Sequence, residues 1–376
     1  MTALDPADLP QEPAAQRALR LERLYRTITR CDPWFRALGL AWLTPIWRVL
    51  AGDNPRGQVV ELWRLAVVPV LAIAGFLALW AAVAPMVQTS LGAIPGPAQV
   101  WEQVGVLRAN AAAEVVKEQE FYVKQDAKNA ELIAAGRPDE VKARIYSAKP
   151  TFPGQILTSI QTVFLGFLIG TLIAVPLGIL CGLSPTANAA INPLVQIFKP
   201  VSPLAWLPIV TMVVSASVGE GGLPKSFIVS AVTVTLCSMW PTLINTALGV
   251  ASIDKDLVNV GRVLKLSLWT RITKLVLPSA LPLIFTGLRL SLGVGWMVLI
   301  AAEMLAQNPG LGKFVWDEFQ NGSQDSLARI MVAVLTIGLI GFALDRLMFA
   351  LQTLFTFSNN RLHDDFGILS RRQRVR

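Results

Sequence analysis

The amino-acid sequence predicts an all-α integral membrane protein with six transmembrane helices. Of its 376 residues, 53% are hydrophobic and 15% are charged, a balance too apolar for an ordinary soluble domain. Four segments contain no Asp, Glu, Lys or Arg, namely residues 65–87, 156–183, 201–218 and 226–250. Apolar runs of about 17–25 residues cross a bilayer as helices, because every backbone group is then hydrogen-bonded within its own segment.

Two further segments are predicted to span the membrane although they touch charged residues. Residues 281–305 include Arg289 near one end and Glu303 near the other, and residues 330–344 run into Asp345. Ionisable residues inside a span are functional candidates by default. The six predicted spans therefore come with two charged side chains whose roles need an explanation.

These charged residues and two of their neighbours are the candidate pore or gating residues. We expect Glu303 to lie near the outer interface, where a carboxylate is solvated or paired, in a structural or gating role. We expect Arg289 to extend its long side chain toward the inner interface, with attraction of an anion as the alternative. Trp296 and Met297, which lie between them in the same span, complete this set.

The distribution of basic residues predicts the orientation of the chain. Lys and Arg concentrate on the cytoplasmic side of membrane proteins. They cluster here before the first span, in the loop at 251–280 and in the tail after residue 353, whereas the loop at 307–327 is mainly acidic. With six spans, both termini and the 251–280 loop lie in the cytoplasm and residues 88–153 lie outside. The net charge of +8 therefore indicates topology rather than nucleic-acid binding.

The small and sulfur-containing residues indicate helix packing rather than chemistry. Gly166 and Gly170 form one pair of small residues four apart, and Gly178 and Gly182 form another, a spacing typical of closely packed membrane helices. The three cysteines are scattered and form neither a disulfide framework nor a metal motif. We predict no catalytic residue and no metal ligand.

Residues 254–276 are predicted to form one amphipathic helix that ends at the joint Leu277-Pro278. Apolar residues recur at steps of three and four: Leu257, Val260, Leu264, Leu268, Ile272 and Leu275. Gly261 lowers helix propensity, which indicates a bend or a close approach of another segment. The periodicity alone fits two interpretations equally, a linker resting on the membrane surface or a helix presented to a soluble partner.

Residues 254–305 resemble the cytoplasmic coupling loop and following span of ABC importer permeases of the binding-protein-dependent type. The signature of that family is an EAA triplet, a glycine four residues later, and an I-x-L-P ending. Here the ending is residues 275–278, Leu-Val-Leu-Pro. Lys265 then stands at the glycine position, and the triplet falls on Asn259, Val260 and Gly261. The signature is therefore degenerate in this chain.

Three blocks are similar to one branch of that family. VNVGRVLKLS (258–267) is similar to the nitrate/nitrite/cyanate-type and bicarbonate-type permeases. LPLIFTGLRLSLG (281–293) with AAEML (301–305) is shared by nitrate, sulfonate and taurine permeases, and NPGLGKFVWDEFQNGS (308–323) resembles the nitrate type. The resemblance implies import of a small oxyanion, nitrate or nitrite first, with bicarbonate, cyanate or an alkanesulfonate such as taurine as alternatives. A secondary transporter or channel is the alternative from another class, but no internal repeat supports it.

The resemblance implies a type I ABC importer permease fold and a set of partners. The only Gly-Lys pair, Gly312-Lys313, precedes Phe314, so the chain has no phosphate-binding loop. The chain itself is then not an enzyme and binds no cofactor, and separate ABC ATPase subunits bind ATP and Mg. The other implied partners are a second copy of the chain, a periplasmic substrate-binding protein or lipoprotein, and the lipids of a bacterial inner membrane. The residues expected to couple the chain to the ATPase are Asn259, Val260, Gly261, Leu264, Lys265, Leu268, Leu277 and Pro278.

The predicted domain organisation follows from the spans and the resemblance. Residues 1–63 form a cytoplasmic segment with an interfacial helix, suited by Trp34, Trp42 and Trp47, with a regulatory or partner-binding role as the alternative. The remaining parts are the first transmembrane helix at 64–87, a largely helical periplasmic insertion at 88–153, the core permease domain at 154–352 with its coupling helix at 252–277, and a basic cytoplasmic tail at 353–376. The insertion is either a structural addition or a contact site for a partner. No cleaved signal peptide is expected, because the first thirty residues lack an apolar core.

Overall fold

The computed structural model describes residues 25–29, 31–32, 35–36, 39–50, 55–89, 92–137, 139, 141, 143–219, 222–323 and 325–373. The chain divides into two compact units, one formed by Met1–Ala78 with Arg346–Arg376 and the other by Leu79–Asp345. Of the tryptophans that predicted an interfacial helix, Trp34 lies outside the described residues. Trp47 lies in α1 (Leu43–Leu50), a short amphipathic helix, and is about half exposed.

The first unit contains the beginning of the first membrane helix. Helix α2 (Pro55–Leu62) continues through a π-helical turn (Trp63–Val67) into α3 (Val68–Val83). The helical run Arg56–Met86 is 31 residues long and apolar enough to cross a bilayer, and none of its most apolar stretch is buried within the chain. Such a helix is uniformly apolar around its circumference, as expected where lipid rather than protein is its neighbour.

The second unit begins with a small hairpin and a long helix. After a 3₁₀ turn (Ala84–Met86), β1 (Gln88–Thr89) pairs antiparallel with β2 (Gly92–Ala93), with Gln88 opposite Ala93. Helix α4 (Pro97–Ala134) then runs for 38 residues, starting with proline in its first turn and rich in Ala, Glu and Lys. It contributes the helical part of the predicted insertion.

The remaining elements form the apolar core of the protein. They are α5 (Phe152–Leu183), α6 (Pro185–Phe198), α7 (Pro203–Ser217), α8 (Lys225–Ala251), α9 (Lys255–Val263), α10 (Leu268–Arg271), a π-helical turn (Ile272–Val276), α11 (Leu277–Ala306), α12 (Leu311–Asn321) and α13 (Ser326–Gln373). In the described part of the chain, five helices are long and apolar enough to cross a membrane. The protein is a multi-pass, all-helical membrane protein.

The third predicted span, residues 201–218, does not exist as a straight transmembrane helix. It corresponds to α7, which has 15 residues and is too short to cross a bilayer alone. Helix α6 precedes it at an angle of 103°, so the chain has six spans only if this bent pair counts as one. The sequence prediction missed α6, because it assigned no helix to residues 184–200.

Helix α8 is the centre of the core, with α5 and α11 packed against it. A Cβ at Gly166 would lie 2.6 Å from the carbonyl oxygen of Ala231, and one at Gly178 would lie 2.6 Å from Cβ of Thr246. This close approach confirms the predicted packing role of the small residues. The two helices run parallel, because positions later in α5 meet positions later in α8.

Candidate functional site

The segment that resembles a coupling loop is broken where the sequence predicted one continuous helix. Helix α9 ends at Val263, and a new helical run begins at Leu268 and continues to Ala306. The predicted joint at Leu277-Pro278 is therefore wrong, since both residues lie inside this run. The π-helical turn before them explains how the proline is accommodated. Leu277 donates its N–H to the carbonyl of Ile272, five residues back, so the register of the hydrogen bonds has already changed when Pro278 follows.

Lys265 adopts the left-handed conformation that ends α9. Its φ is 47°, and the N–H of Leu266 bonds to the carbonyl of Gly261 over 3.1 Å. This six-to-one bond, with a left-handed residue just before its donor, is the Schellman arrangement of a helix C-terminus. Glycine takes this position most easily because it has no Cβ. The residue that aligns with the family's glycine therefore has the backbone conformation that glycine favours.

Gly261 lets α9 lie close to the following helix. A Cβ at this position would lie 2.9 Å from Cδ1 of Leu275 and 3.6 Å from Cδ of Arg271. The close approach expected at Gly261 is thus confirmed. Ser267 opens the next helix by accepting the N–H of Thr270 over 3.2 Å. The break between the two helices is therefore a defined turn with satisfied ends.

The outer face of this turn is apolar and exposed. Val263 is 80% exposed and Trp269 is 75% exposed. The exposed apolar surface, which we call the α9–α10 surface, consists of Leu257, Val260, Val263, Leu264, Leu268 and Trp269. A hollow of about 390 Å³ lies in it, lined by Asp256, Asn259, Val260, Val263 and Leu264. Apolar patches of this kind mark interaction sites on proteins.

The structure divides the predicted coupling residues into two groups. Four of them, Asn259, Val260, Leu264 and Leu268, are exposed along the α9–α10 surface. Lys265 is exposed at the turn, and Gly261 is buried against the next helix. Leu277 and Pro278 are half-buried at the start of α11. The structure thus brings most of the set to one surface and leaves the proline pair away from it.

Glu303 is fully buried, so of the two alternatives expected for it, solvation at an interface or pairing, the structure shows pairing by hydrogen bonds within the protein. The hydroxyl of Ser159 on α5 donates to its two carboxylate oxygens, 2.9 and 2.8 Å away. The N–H of Gly312 donates to Oε2 over 3.0 Å. A buried carboxylate is tolerated only when such donors replace water. Sequence spacing could not reveal this, because Ser159 is far from Glu303 along the chain.

The Glu303 carboxylate fixes the turn between α11 and α12. Leu311 donates its N–H to the same Ser159 hydroxyl over 2.8 Å. A Cβ at Gly310 would overlap the carboxylate, and one at Gly312 would overlap the carbonyl oxygen of Ile300. Glycine is therefore required at both positions so that the backbone can approach the carboxylate. These contacts join three helices at one point: α5, α11 and α12.

The other candidate pore residues have separate positions. Arg289 forms a bidentate ion pair with Asp345 on α13, in which Nη2 and Oδ2 are 2.9 Å apart, so its charge is matched within the chain. Trp296 is buried and donates its indole N–H to the carbonyl of Ile337 over 3.0 Å. Only Met297 is exposed, at 70%. The structure does not bring the four candidates together.

The α4 insertion is tied to the segment after it by a second carboxylate. Glu114 is buried and accepts hydrogen bonds from the N–H of Lys149 over 3.0 Å and from the hydroxyl of Tyr146 over 2.9 Å. These bonds, with help from Lys117, hold the pKa of Glu114 below its usual 4.5. The same contact raises the pKa of the Tyr146 phenol above 10.0. The segment that contains Tyr146 and Lys149 is thereby held against the side of α4.

The break between α6 and α7 contains residues that the sequence prediction missed. Lys199 follows Phe198 at the end of α6, and it makes no ion pair with any residue that the structure describes. The ring of Phe198 lies 5.7 Å from the ring of Trp206 and 6.4 Å from that of Trp240, nearly parallel to the latter. The only sequence signal was the spacing Lys-Pro-x-Ser-Pro at 199–203, at the start of the predicted span 201–218.

Four comparisons with known proteins are relevant, one with a protein family and three with individual relatives. The family described as binding-protein-dependent transport system inner membrane component matches residues 174–357. The nitrate import permease protein NrtB of Leptolyngbya laminosa is 39% identical over 194 residues, covering 52% of this chain and 65% of that protein. The bicarbonate transport system permease protein CmpB of Synechococcus elongatus is 40% identical over 199 residues, covering 53% and 67%. A probable ABC transporter permease protein of Brucella melitensis is 34% identical over 203 residues, covering 54% and 78%. The match with the NrtB and CmpB proteins thus spans about two thirds of their length.

Proposed function

This chain belongs to the family of binding-protein-dependent transport system inner membrane components, and we propose that it is the permease subunit of an ATP-driven importer for a small oxyanion, nitrate or nitrite. Its all-helical architecture with five or six apolar spans agrees with the type I ABC importer permease fold. ATP and Mg are bound by separate ABC ATPase subunits. A second copy of this chain and a periplasmic binding protein or lipoprotein complete the importer.

The observation that carries the proposal is the exposed α9–α10 surface at the base of a continuous membrane helix. The helical run Leu268–Ala306 has 39 residues and is about 58 Å long at 1.5 Å per residue. Leu268 lies on the exposed surface, and Glu303 lies at the other end of the same run. A displacement imposed on the surface is therefore carried by one helix to the turn before α12.

The proposed mechanism does not use a hinge at Leu277-Pro278. ATP binding closes the two ATPase subunits and moves α9 through the α9–α10 surface. Because α10 and α11 form one run, the movement shifts the opposite end of the helix together with α5 and α12, which Glu303 joins. The path thereby switches between its inward-open and outward-open states. This mechanism agrees with tight core packing, since packed helices move as units rather than deforming.

The choice of nitrate rests on the relatives, and bicarbonate is the second candidate. The NrtB and CmpB proteins match this chain with similar identity, 39% and 40%. The segment at 308–323 resembles the nitrate type, and it contains Gly310 and Gly312 beside Glu303. Cyanate and alkanesulfonates such as taurine are further members of the same substrate class. We rank nitrate and nitrite first because this segment resembles the nitrate type, whereas the α9 segment is similar to the nitrate and bicarbonate types alike.

The proposed orientation places α9, both termini and the basic tail at 353–376 in the cytoplasm of a bacterium. The chain then crosses the inner membrane several times, and α4 lies in the periplasm. Residues 1–63 form the cytoplasmic N-terminal segment, 64–87 the first span and 154–352 the core permease domain. The predicted helix α9 is the coupling helix. Single cysteines introduced into α4 and into the tail, tested with a membrane-impermeant thiol reagent, report which side each one faces.

Uptake by the assembled importer tests the function. The permease is co-expressed with the ATPase and binding-protein genes beside it and reconstituted into vesicles. We expect ATP-dependent accumulation of isotope-labelled nitrate, competition by nitrite, and little accumulation of taurine. Accumulation of bicarbonate without nitrate selects the second candidate. If no ATPase subunit co-purifies with the permease, the proposal that the chain belongs to an ATP-driven importer is wrong.

A further inference from the structure

The break between α6 and α7 lies at the middle of the membrane core. Phe198, the last residue of α6, packs on Trp240 of α8. Trp240 is about 16 Å from the Ala251 end of α8 and about 22 Å from the Lys225 end at 1.5 Å per residue. Since α8 crosses the bilayer, the break beside Trp240 is near half depth. The chain leaves α6 there and turns by 103° into α7.

A cation stands at this break. Lys199 directly follows Phe198, and its side chain is exposed on the surface of the single chain. An ammonium group facing hydrocarbon at half depth is strongly unfavourable, and such residues face the protein interior or a water-filled path. Arg289, a basic residue of the fifth predicted span, is matched by Asp345. Lys199 has no carboxylate partner in the part of the chain that the structure describes, so its charge can attract an anion.

Two buried hydrogen-bond donors lie beside the same break. The indole N–H groups of Trp206 and Trp240 are inaccessible to solvent, and neither has an acceptor in the part of the chain that the structure describes. Trp240 as a whole is only 8% exposed. Indole N–H groups can only donate, and leaving a buried donor without an acceptor is unfavourable. Both rings lie close to Phe198, the residue before Lys199, so the two donors are near the break.

The N-terminus of α7 adds a positive electrostatic potential, which favours an anion. Helix α7 has 15 residues and begins at Pro203, with Ser202 capping it by accepting the N–H of Leu204 over 3.3 Å. Helix N-termini carry partial positive charge. In secondary transporters, the N-termini of discontinuous membrane helices face anionic groups of the substrate at half depth. The break thus combines a cation, two unpaired donors and a helix N-terminus.

We propose that Lys199, Trp206 and Trp240 form a binding site for a small monovalent oxyanion on the translocation path. The site holds the anion by one charge and by neutral N–H donors, a combination that matches several oxygen acceptors around a small planar ion such as nitrate. This inference rests on the proposed function, because it names the position at which the importer holds its substrate. In this proposal Lys199, and not Arg289, is the residue that attracts the anion.

Direct binding to the full-length chain in lipid nanodiscs tests the site without any partner. The tryptophans are isotopically labelled at the indole nitrogen, and Trp206→Phe and Trp240→Phe identify their two resonances. Titration with sodium nitrate is compared with sodium gluconate at equal ionic strength. We expect both resonances to shift saturably with nitrate. Lys199→Gln should weaken the affinity about tenfold, the effect of losing one charge-assisted contact, whereas Lys199→Arg and the matched control Lys225→Gln should stay close to wild type.

Uptake by the reconstituted complex separates failure of the site from failure of the function. Lys199→Gln should raise the KM for nitrate about tenfold while the maximal ATPase rate stays near wild type, and Lys199→Arg should restore the KM. If the wild-type complex imports nitrate but Lys199→Gln keeps its KM and its nitrate affinity, the site is wrong and the function stands. If nitrate shifts both indole resonances while the complex imports no anion, the site stands and the function is wrong. Indole resonances that do not respond to nitrate overturn the site.

Discussion

Ser159 on α5 donates its hydroxyl to the carboxylate of Glu303 on α11, with oxygen–oxygen distances of 2.9 and 2.8 Å. The same hydroxyl accepts the N–H of Leu311, and Gly312 donates to the carboxylate as well. A single buried residue therefore fixes the position of three helices and of the turn between α11 and α12. In the proposed mechanism, this is the point at which movement of α11 reaches the far side of the membrane.

Replacement of Glu303 should destabilise the protein and uncouple it. Glu303→Ala leaves the Ser159 hydroxyl and the Gly312 N–H without their acceptor, which costs about 1–3 kcal/mol for each buried group. Glu303→Gln keeps one oxygen acceptor and should lose less. Thermal unfolding in detergent measures the stability, and nitrate uptake measures the coupling. Equal melting temperatures for wild type and Glu303→Ala would show that the contacts carry no stability.

Gly310→Ala should be destabilising, whereas Gly293→Ala should not. A Cβ at Gly310 would overlap the Glu303 carboxylate, and nothing lies within 4 Å of one at Gly293. The added methyl group therefore forces the turn away from Glu303, at a cost of about 1–3 kcal/mol for overpacking. Gly293→Ala in the middle of α11 gains about 0.5–1 kcal/mol of helix stability. Thermal unfolding of the two variants side by side checks both signs, and a Gly310→Ala protein as stable as wild type contradicts the packing.

Lys265→Gly should stabilise the α9–α10 turn. Lys265 has a φ of 47°, and a non-glycine residue in the left-handed region costs roughly 1 kcal/mol relative to glycine. The matched control is Lys274→Gly, which places glycine inside a helical run and should lose about 1 kcal/mol. Hydrogen exchange of the α9 amides reports the local effect. Faster exchange in Lys265→Gly than in wild type would contradict the assigned role of this backbone conformation.

Charge on the α9–α10 surface should prevent binding of the ATPase. Leu264→Glu and Leu268→Glu place a carboxylate in an apolar interface, and an unpaired charge buried there should lower the affinity at least tenfold, or about 1.4 kcal/mol. The matched control is Ile133→Glu, an equally exposed aliphatic residue near the end of α4. Co-purification from native membranes and ATP-driven uptake are the measurements. If the protein that carries both Leu264→Glu and Leu268→Glu takes up nitrate at the wild-type rate, the α9–α10 surface does not couple the permease to the ATPase.

The α4 contact should respond to pH at both ends of the scale. Glu114 has a lowered pKa, so its carboxylate contributes stability above the unfolded-state pKa near 4.5, and this stability is lost as the pH falls through the folded-state value. Tyr146 has a raised pKa, so its contribution is complete below 10.0 and is lost as the pH rises through the folded-state value. Protection of residues 143–151 from protease should therefore decline below pH 4.5.

The Glu114→Gln variant provides the control for this pH dependence. Protease protection in this variant should be weaker at neutral pH and should no longer change in the acid range. Its Tyr146 phenol should ionise at lower pH than in wild type, because the neighbouring negative charge is gone. Phenolate absorbance, compared with a Tyr146→Phe protein, measures this shift. An unchanged titration of Tyr146 would show that Glu114 does not set its pKa.

The sequence predicted the class and branch of this protein better than it predicted the site. Charge-free runs, basic loops and the degenerate signature at 259–278 are local properties, and they were enough to assign an all-helical permease. The helix boundaries at α6 and α9 were missed because both breaks depend on surrounding structure. A left-handed lysine and a bent pair of helices have weak signatures in composition, since propensity is easily overridden by tertiary packing.

The sequence by itself determined that this chain crosses a membrane, belongs among ATP-driven importers and carries an amphipathic segment before its fifth predicted span. Only the tertiary structure decided that Glu303 is buried against Ser159, that Arg289 is neutralised by Asp345, and that Phe198, the residue before Lys199, packs on Trp240. The physical reason is that hydropathy and periodicity are properties of neighbouring residues. Whether a charge is paired, buried or open to an aqueous path depends on contacts between helices that are distant in the chain.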